Sequence, residues 1–163
     1  MEVVANHLFQ EVLKRTDQAE KNLFGRSAFN RCYYATFLNV HAGLKQLDPK
    51  WSELSHKAIP DLLKGSIRKE LAKGRDNASK VSDVAVVQLC ARAVSAAYDL
   101  SDLMKIGYAT RVVADYYPEI QISIPAGQEC SLNSVGAKDA KSWSIKSAGY
   151  VSTIVAAWNQ IHA

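Results

Sequence analysis

The stretch "SAFNRCYYATF", residues 27–37, decides the fold. Its apolar and aromatic residues, continued by Val40, fall on two adjacent lines at helical spacing: Ala28, Cys32 and Ala35, then Phe29, Tyr33, Phe37 and Val40. A face of this width predicts a largely buried helix. A lone arginine, Arg31, interrupts the run. Because an unpaired charge inside a helical bundle is costly, Arg31 needs a partner if it is buried.

Further runs on both sides of this stretch also have helical periodicity. Residues 2–16 place Val4, Leu8 and Val12 four residues apart, which predicts an amphipathic helix. Residues 82–108 have no internal proline, and no glycine before Gly107, which predicts a long core helix. A last helix is predicted around residues 143–158, where tryptophan, alanine and valine side chains share one side.

Two segments break the helical pattern. Pro49 and Pro60 mark a connector with one or two short helices, and residues 117–137, with Pro118 and Pro125, predict an ordered non-helical excursion before the last helix. The sequence therefore predicts an all-α fold, a bundle of four principal helices with one long crossover connection. Its length fits a single domain spanning residues 1–163.

Composition narrows the functional classes. The amino-terminal residues lack the pattern of a signal peptide, and no window approaches the roughly 18 apolar residues of a membrane span. Cys32, Cys90 and Cys130 are odd in number and widely separated, which excludes a full disulfide framework and the usual zinc spacings. We therefore expect a cytoplasmic protein without a membrane partner, a metal or a cofactor.

Positive charge is concentrated in residues 64–80. Six lysines and arginines face two acidic residues there, so the segment carries +4, which equals the formal net charge of the whole chain. Such a patch could neutralise phosphates and bind RNA, or it could be an ordinary solvated helix surface with intrahelical pairs. The candidate RNA-binding residues are Lys64, Arg68, Lys69, Lys73 and Arg75.

Three motifs in this order resemble the HEPN domain family, whose members are small all-α proteins. Residues 27–37 match its Ser-Ala-x-x-Arg-x-Tyr-Tyr-Ala-x-Phe pattern, and His56 and Lys57 match a segment that follows it. The Arg-x-x-Ala-Asp-Tyr pattern of the family is found at residues 111–116, which include Arg111 and Asp115.

The resemblance implies both a fold and a function. It implies an antiparallel four-helix bundle that frequently forms a homodimer. It also implies a link to RNA cleavage, toxin–antitoxin pairs and defence against phage. Members are often encoded beside minimal nucleotidyltransferases, so RNA and a partner protein such as a nucleotidyltransferase are the expected partners.

Metal-independent RNA cleavage needs a base, an acid and a cation on the phosphate. Nuclease members of the family supply an Arg and a His separated by four to six residues, and none of the four histidines here has an arginine at that spacing. A substitute set is Arg31 and Arg111 as phosphate clamps, His56 as acid or base, and Tyr34 or Tyr116 as an orienting hydroxyl. Asp115 is the remaining candidate catalytic residue. Without catalysis, the chain would be a binding module for a nucleotide or a partner enzyme.

A structural role for the same residues is equally open. Arg111 and Asp115 are four residues apart, the spacing of an ordinary ion pair on one helix. If Arg31 is buried beside them, the three side chains would form a structural polar cluster in which a carboxylate from a neighbouring helix meets the arginine. His41 is predicted to be a core histidine with satisfied hydrogen bonds.

Overall fold

The computed structural model describes residues 1–125 and 129–163, and helices make up most of them. The predicted all-α class is confirmed. None of the helices in this described part of the chain is long and apolar enough to cross a membrane. The helices are α1 (Glu2–Lys14), α2 (Gln18–Leu47), α3 (Ile59–Leu62), α4 (Arg68–Lys80), α5 (Val84–Tyr116) and α6 (Ala137–Ile161), and the short strands are β1 (Ser131–Leu132) and β2 (Val135–Gly136).

Helix α2, which carries the decisive stretch, begins earlier than the sequence pattern indicates. The side chain of Asp17 accepts the backbone N–H of Glu20 at 2.9 Å and so caps the first turn. Gly25 is an interior residue of the helix, and a Cβ at this position would lie 2.7 Å from side-chain atoms of Ile122. The absence of a side chain at Gly25 therefore lets the segment that follows α5 pack closely against α2.

Helix α5 continues past Gly107 and past Tyr108, the last residue of the predicted core helix. A Cβ at Gly107 would lie 3.0 Å from the ring of Tyr33 and 3.6 Å from the ring of Trp143. The glycine is needed for aromatic packing and does not end the helix. The helix ends at Tyr116, just before Pro118.

The connector contains more helix than predicted. A 3₁₀ turn covers Pro49–Glu53, and α3 is followed by a π-helical turn over Leu63–Ile67 that leads directly into α4. Helix α4 was not among the four predicted principal helices. Its buried residues are Leu71 and Ala78 alone, so its sequence has few apolar positions from which a packed helix could be predicted.

The chain divides into two units, and residues 1–36 with 106–145 form the first. Phe9 of α1 meets Phe29 of α2 edge to face, with ring centroids 5.1 Å apart. The predicted excursion is non-helical where it is described, and residues 126–128 lie outside the described residues. Its end is the β1–β2 hairpin, whose turn residues Asn133 and Ser134 have φ of 47° and 68°, as a tight hairpin turn requires.

Residues 37–105 with 146–163 form the second unit. Gly43 of α2 lies against Val151 of α6, and Ser101 of α5 donates a hydrogen bond of 3.0 Å to the carbonyl of Pro60. The rings of Trp51 and Trp158 have centroids 5.5 Å apart. A single domain with an antiparallel four-helix arrangement stays a prediction.

Candidate functional site

The arginine that interrupts the decisive stretch is not buried. Arg31 is exposed, and it forms no ion pair within residues 1–125 and 129–163. Residues two positions apart on a helix point about 200° away from each other, so the fully buried Tyr33 leaves Arg31 on the opposite side of α2. The structural alternative, in which a buried Arg31 meets a carboxylate, is therefore wrong.

A different arginine of α2 makes the contacts between segments. Arg26 donates from Nη2 to the carbonyl of Val113 at 2.7 Å, from Nε to that of Ala114 at 2.9 Å, and from Nη1 to that of Ile120 at 2.7 Å. The carbonyl of Val113 also accepts the backbone N–H of Tyr117 at 3.2 Å, whereas Pro118 has no N–H for that of Ala114, so Arg26 closes the last turn of α5. Because its partners are backbone atoms, the sequence offered no complementary residue type that would have identified it.

Four of the predicted catalytic residues meet in the first unit and, with Asn30, form what we call the polar cluster: Asn30, Tyr34, Arg111, Asp115 and Tyr116. Nε of Arg111 lies 2.8 Å from Oδ2 of Asp115, so the pair expected from the four-residue spacing is present. Asn30 donates to Oδ1 of Asp115 at 2.6 Å. The guanidinium of Arg111 stands 5.5 Å from the ring centroid of Tyr116.

Electrostatics keep Arg111 charged. Burial alone would lower the pKa of Arg111, but the charge of Asp115 and hydrogen bonds with Tyr34 and Tyr116 outweigh this effect and raise it. About a fifth of the Arg111 side chain, 21%, is open to solvent. The guanidinium is thus fixed in place and remains reachable from outside.

The polar cluster can bind but is poorly equipped to move protons. Oδ1 of Asn30 is buried and accepts no hydrogen bond from the described part of the chain, so a ligand cannot reach this oxygen and any binding depends on Arg111. None of the cluster residues is a histidine, the side chain whose ordinary pKa lies near neutrality. Arg111 can contact an anion, although Asp115 already offsets part of its charge.

His56, the predicted acid or base, belongs to the second unit. Its ring stacks on Phe37, with centroids 3.9 Å apart and planes within 7° of parallel. Nearby, Nε2 of His41 lies 2.6 Å from the carbonyl of Ser52, so this histidine has a hydrogen-bond partner as predicted, but it is half-buried and not a core residue. His56 is half-buried in an aromatic stack.

The second unit also holds what we call the basic surface, formed by the predicted RNA-binding residues Lys64, Arg68, Lys69, Lys73 and Arg75 and by the neighbouring Lys80. Several of its charges are paired: Lys64 with Asp102 at 2.6 Å, Lys73 with Glu70 at 3.4 Å, and Arg75 with Asp76 at 2.9 Å. The hydrogen bond from Lys64 lowers the pKa of Asp102. Asp102 lies on α5, far along the sequence from Lys64, so the sequence alone does not reveal this pair.

Other cations of the same segment are left without an acidic partner. Arg68, Lys69 and Lys80 form no ion pair with any residue in the described ranges. Lys69, Lys73 and Lys80 follow one another at spacings of four and seven residues, so they share one exposed side of α4. Intrahelical pairing therefore accounts for only part of the basic surface.

No family model, curated protein or solved structure matches this chain. The resemblance to the HEPN domain family therefore rests on the sequence motifs. Of the residues that carry it, Arg111 and Asp115 lie in the polar cluster, whereas Arg31 is exposed on α2 and His56 belongs to the other unit. Within the described residues, no group of three or more histidine, cysteine, aspartate or glutamate side chains is placed to hold a metal ion.

Proposed function

We propose that this protein is a HEPN-type RNA-binding protein whose RNA interface is the basic surface around α4. The observation that carries the proposal is the set of cations without acidic partners, Arg68, Lys69 and Lys80, on one short segment. A lysine or arginine that already has a carboxylate partner gains little from a phosphate, whereas an unpaired one gains the full interaction. Each phosphate neutralised also releases bound counterions, which drives association.

Binding is better supported than cleavage. In-line attack by a ribose 2′-hydroxyl needs a proton acceptor and a donor close to the phosphate. The polar cluster provides a guanidinium, an amide and two phenols, and its one carboxylate, Asp115, is already engaged by Arg111 and Asn30. These groups can position a nucleotide. The sequence also lacks the Arg and His spacing of the nuclease members.

The resemblance adds further parts to the proposal. It extends to the antiparallel four-helix bundle, a homodimer, a partner protein such as a nucleotidyltransferase, and a place in a toxin–antitoxin or anti-phage system. Cleavage of RNA by Arg31, His56, Arg111 and a tyrosine is the catalytic alternative.

A gel assay separates binding from cleavage. Labelled single-stranded and structured RNAs are incubated in EDTA with the wild type and with His56→Ala and Arg111→Met variants whose helix content matches it. A shift of intact RNA by the wild type supports the binding proposal. Cleavage by the wild type that both variants lose would support the catalytic alternative, and neither shift nor cleavage at low salt would contradict the proposed function.

A further inference from the structure

An exposed aromatic ring lies beside the basic surface. Tyr98 of α5 is 42% exposed, as are other large apolar side chains of this helix such as Ile106 at 51%. Nζ of Lys64 stands 5.5 Å from the centroid of its ring, and Cζ of Arg68 stands 5.6 Å from it. Both distances are within the range of a cation–π contact. One ring thus has an ammonium and a guanidinium next to it.

The π-helical turn fixes the guanidinium of Arg68. In this turn the backbone N–H of Arg68 reaches the carbonyls of Leu63 and Gly65, whereas in an α-helix it would bond to that of Lys64. The carbonyl of Lys64 instead accepts Nε–H of Arg68 at 2.9 Å. The side chain of Arg68 is therefore held at one end.

This arrangement leaves the outer edge of the guanidinium available. The two terminal nitrogens of Arg68 form no hydrogen bond or ion pair with the described residues. A planar pair of N–H donors is the geometry that binds two oxygens of one phosphate. Nζ of Lys64, by contrast, lies 2.6 Å from Oδ1 of Asp102, and this ion pair holds Lys64 beside the ring.

We infer that Tyr98 and Arg68 bind one unpaired nucleotide of single-stranded RNA, while Lys64 stays paired with Asp102 beside the ring. The base stacks on the ring of Tyr98, and the adjoining phosphate is bound by the terminal nitrogens of Arg68. Stacking of bases on aromatic side chains is the general way in which proteins hold single strands, and it is closed to bases inside a duplex. This inference rests on the proposed function, because it assigns the class of RNA that the basic surface selects.

The test compares Tyr98→Leu with Tyr98→Phe. Phenylalanine keeps the aromatic face, whereas leucine keeps an apolar side chain without it, and the exposure of the site lets both variants fold. Affinity is measured by fluorescence anisotropy for a short single-stranded RNA and for a duplex of the same sequence. A second readout uses single-stranded RNA that contains 2-aminopurine, because the fluorescence of this base is quenched when it stacks.

The inference predicts that Tyr98→Leu weakens single-strand binding by about 5- to 100-fold and changes duplex binding by less than about twofold. Tyr98→Phe keeps wild-type affinity, and the wild type and Tyr98→Phe quench 2-aminopurine more than Tyr98→Leu does. Equal losses on both RNAs, or wild-type binding by Tyr98→Leu, would overturn the inference and leave the proposed function intact. A wild type that binds neither RNA would contradict both.

Discussion

Replacing Arg26 of α2 should destabilise the protein far more than replacing Arg31 of the same helix. Arg26→Met keeps the aliphatic stem but removes three hydrogen bonds of 2.7–2.9 Å to carbonyls at and beyond the end of α5. A hydrogen bond to a charged group contributes about 1.5–3 kcal/mol, and water can replace part of these at a half-buried site. We expect the free energy of unfolding to fall by about 3 kcal/mol, near the upper end for a single substitution.

The matched control is Arg31→Met, which removes the same charge from the same helix. Arg31 is exposed and unpaired among the described residues, so we expect a change within about 0.5 kcal/mol. Urea unfolding followed by circular dichroism measures both, and with a slope of about 2 kcal/mol per molar the midpoint of Arg26→Met should fall by about 1.5 M. Equal midpoints for the two variants would refute the assignment of Arg26, and a larger loss for Arg31→Met would restore the buried Arg31 that the sequence suggested.

Two further predictions concern packing and pH. Gly43→Ala places a Cβ against Val151, and this overpacking should lower the free energy of unfolding by about 1–3 kcal/mol. Gly149 has open space around it, so Gly149→Ala should raise that free energy by up to about 1 kcal/mol through helix propensity. Thermal unfolding of both variants checks the two signs. Burial raises the pKa of Cys32 to about 12 and that of Cys130 to about 11. Thiols in the unfolded chain have a pKa of about 8.5. The folded state therefore loses stability as the pH rises from that value towards the raised pKa values of the folded thiols. Urea midpoints should therefore fall between about pH 9 and 11 in the wild type and fall less in a double variant with alanine at both cysteines; identical pH profiles would contradict this.

The sequence predicted the features that leave a periodic pattern. It did not predict the features that depend on contacts with residues distant in the sequence. The wide apolar face around Tyr33 correctly predicted a buried helix, because burial of one side leaves a repeat in the sequence. It could not place the ends of that helix. Glycines such as Gly25 and Gly107 look like breaks, and only the packing of Ile122 and Tyr33 against them shows why they lie inside helices.

The candidate sites follow the same division. The Arg111–Asp115 pair was readable because both residues lie on one helix at a fixed spacing. The sequence did not reveal the partners of Lys64, because Asp102 and Tyr98 lie on α5 and contact Lys64 only in the folded structure. Arg31 was overinterpreted for a related reason: a charge within an apolar run was taken as buried, although its position is on the other side of the helix.

The salt dependence of RNA affinity tests the central claim most directly. Wild type is compared with a Lys69→Gln, Lys80→Gln double variant and with a Lys138→Gln, Lys146→Gln control that removes the same charge from α6. For a single strand, each lost phosphate contact should reduce the slope of log affinity against log salt by about 0.7, so the α4 variant should lose about 1.4 and the control almost nothing. A basic surface that binds RNA predicts this difference; equal slopes for the two double variants would contradict it.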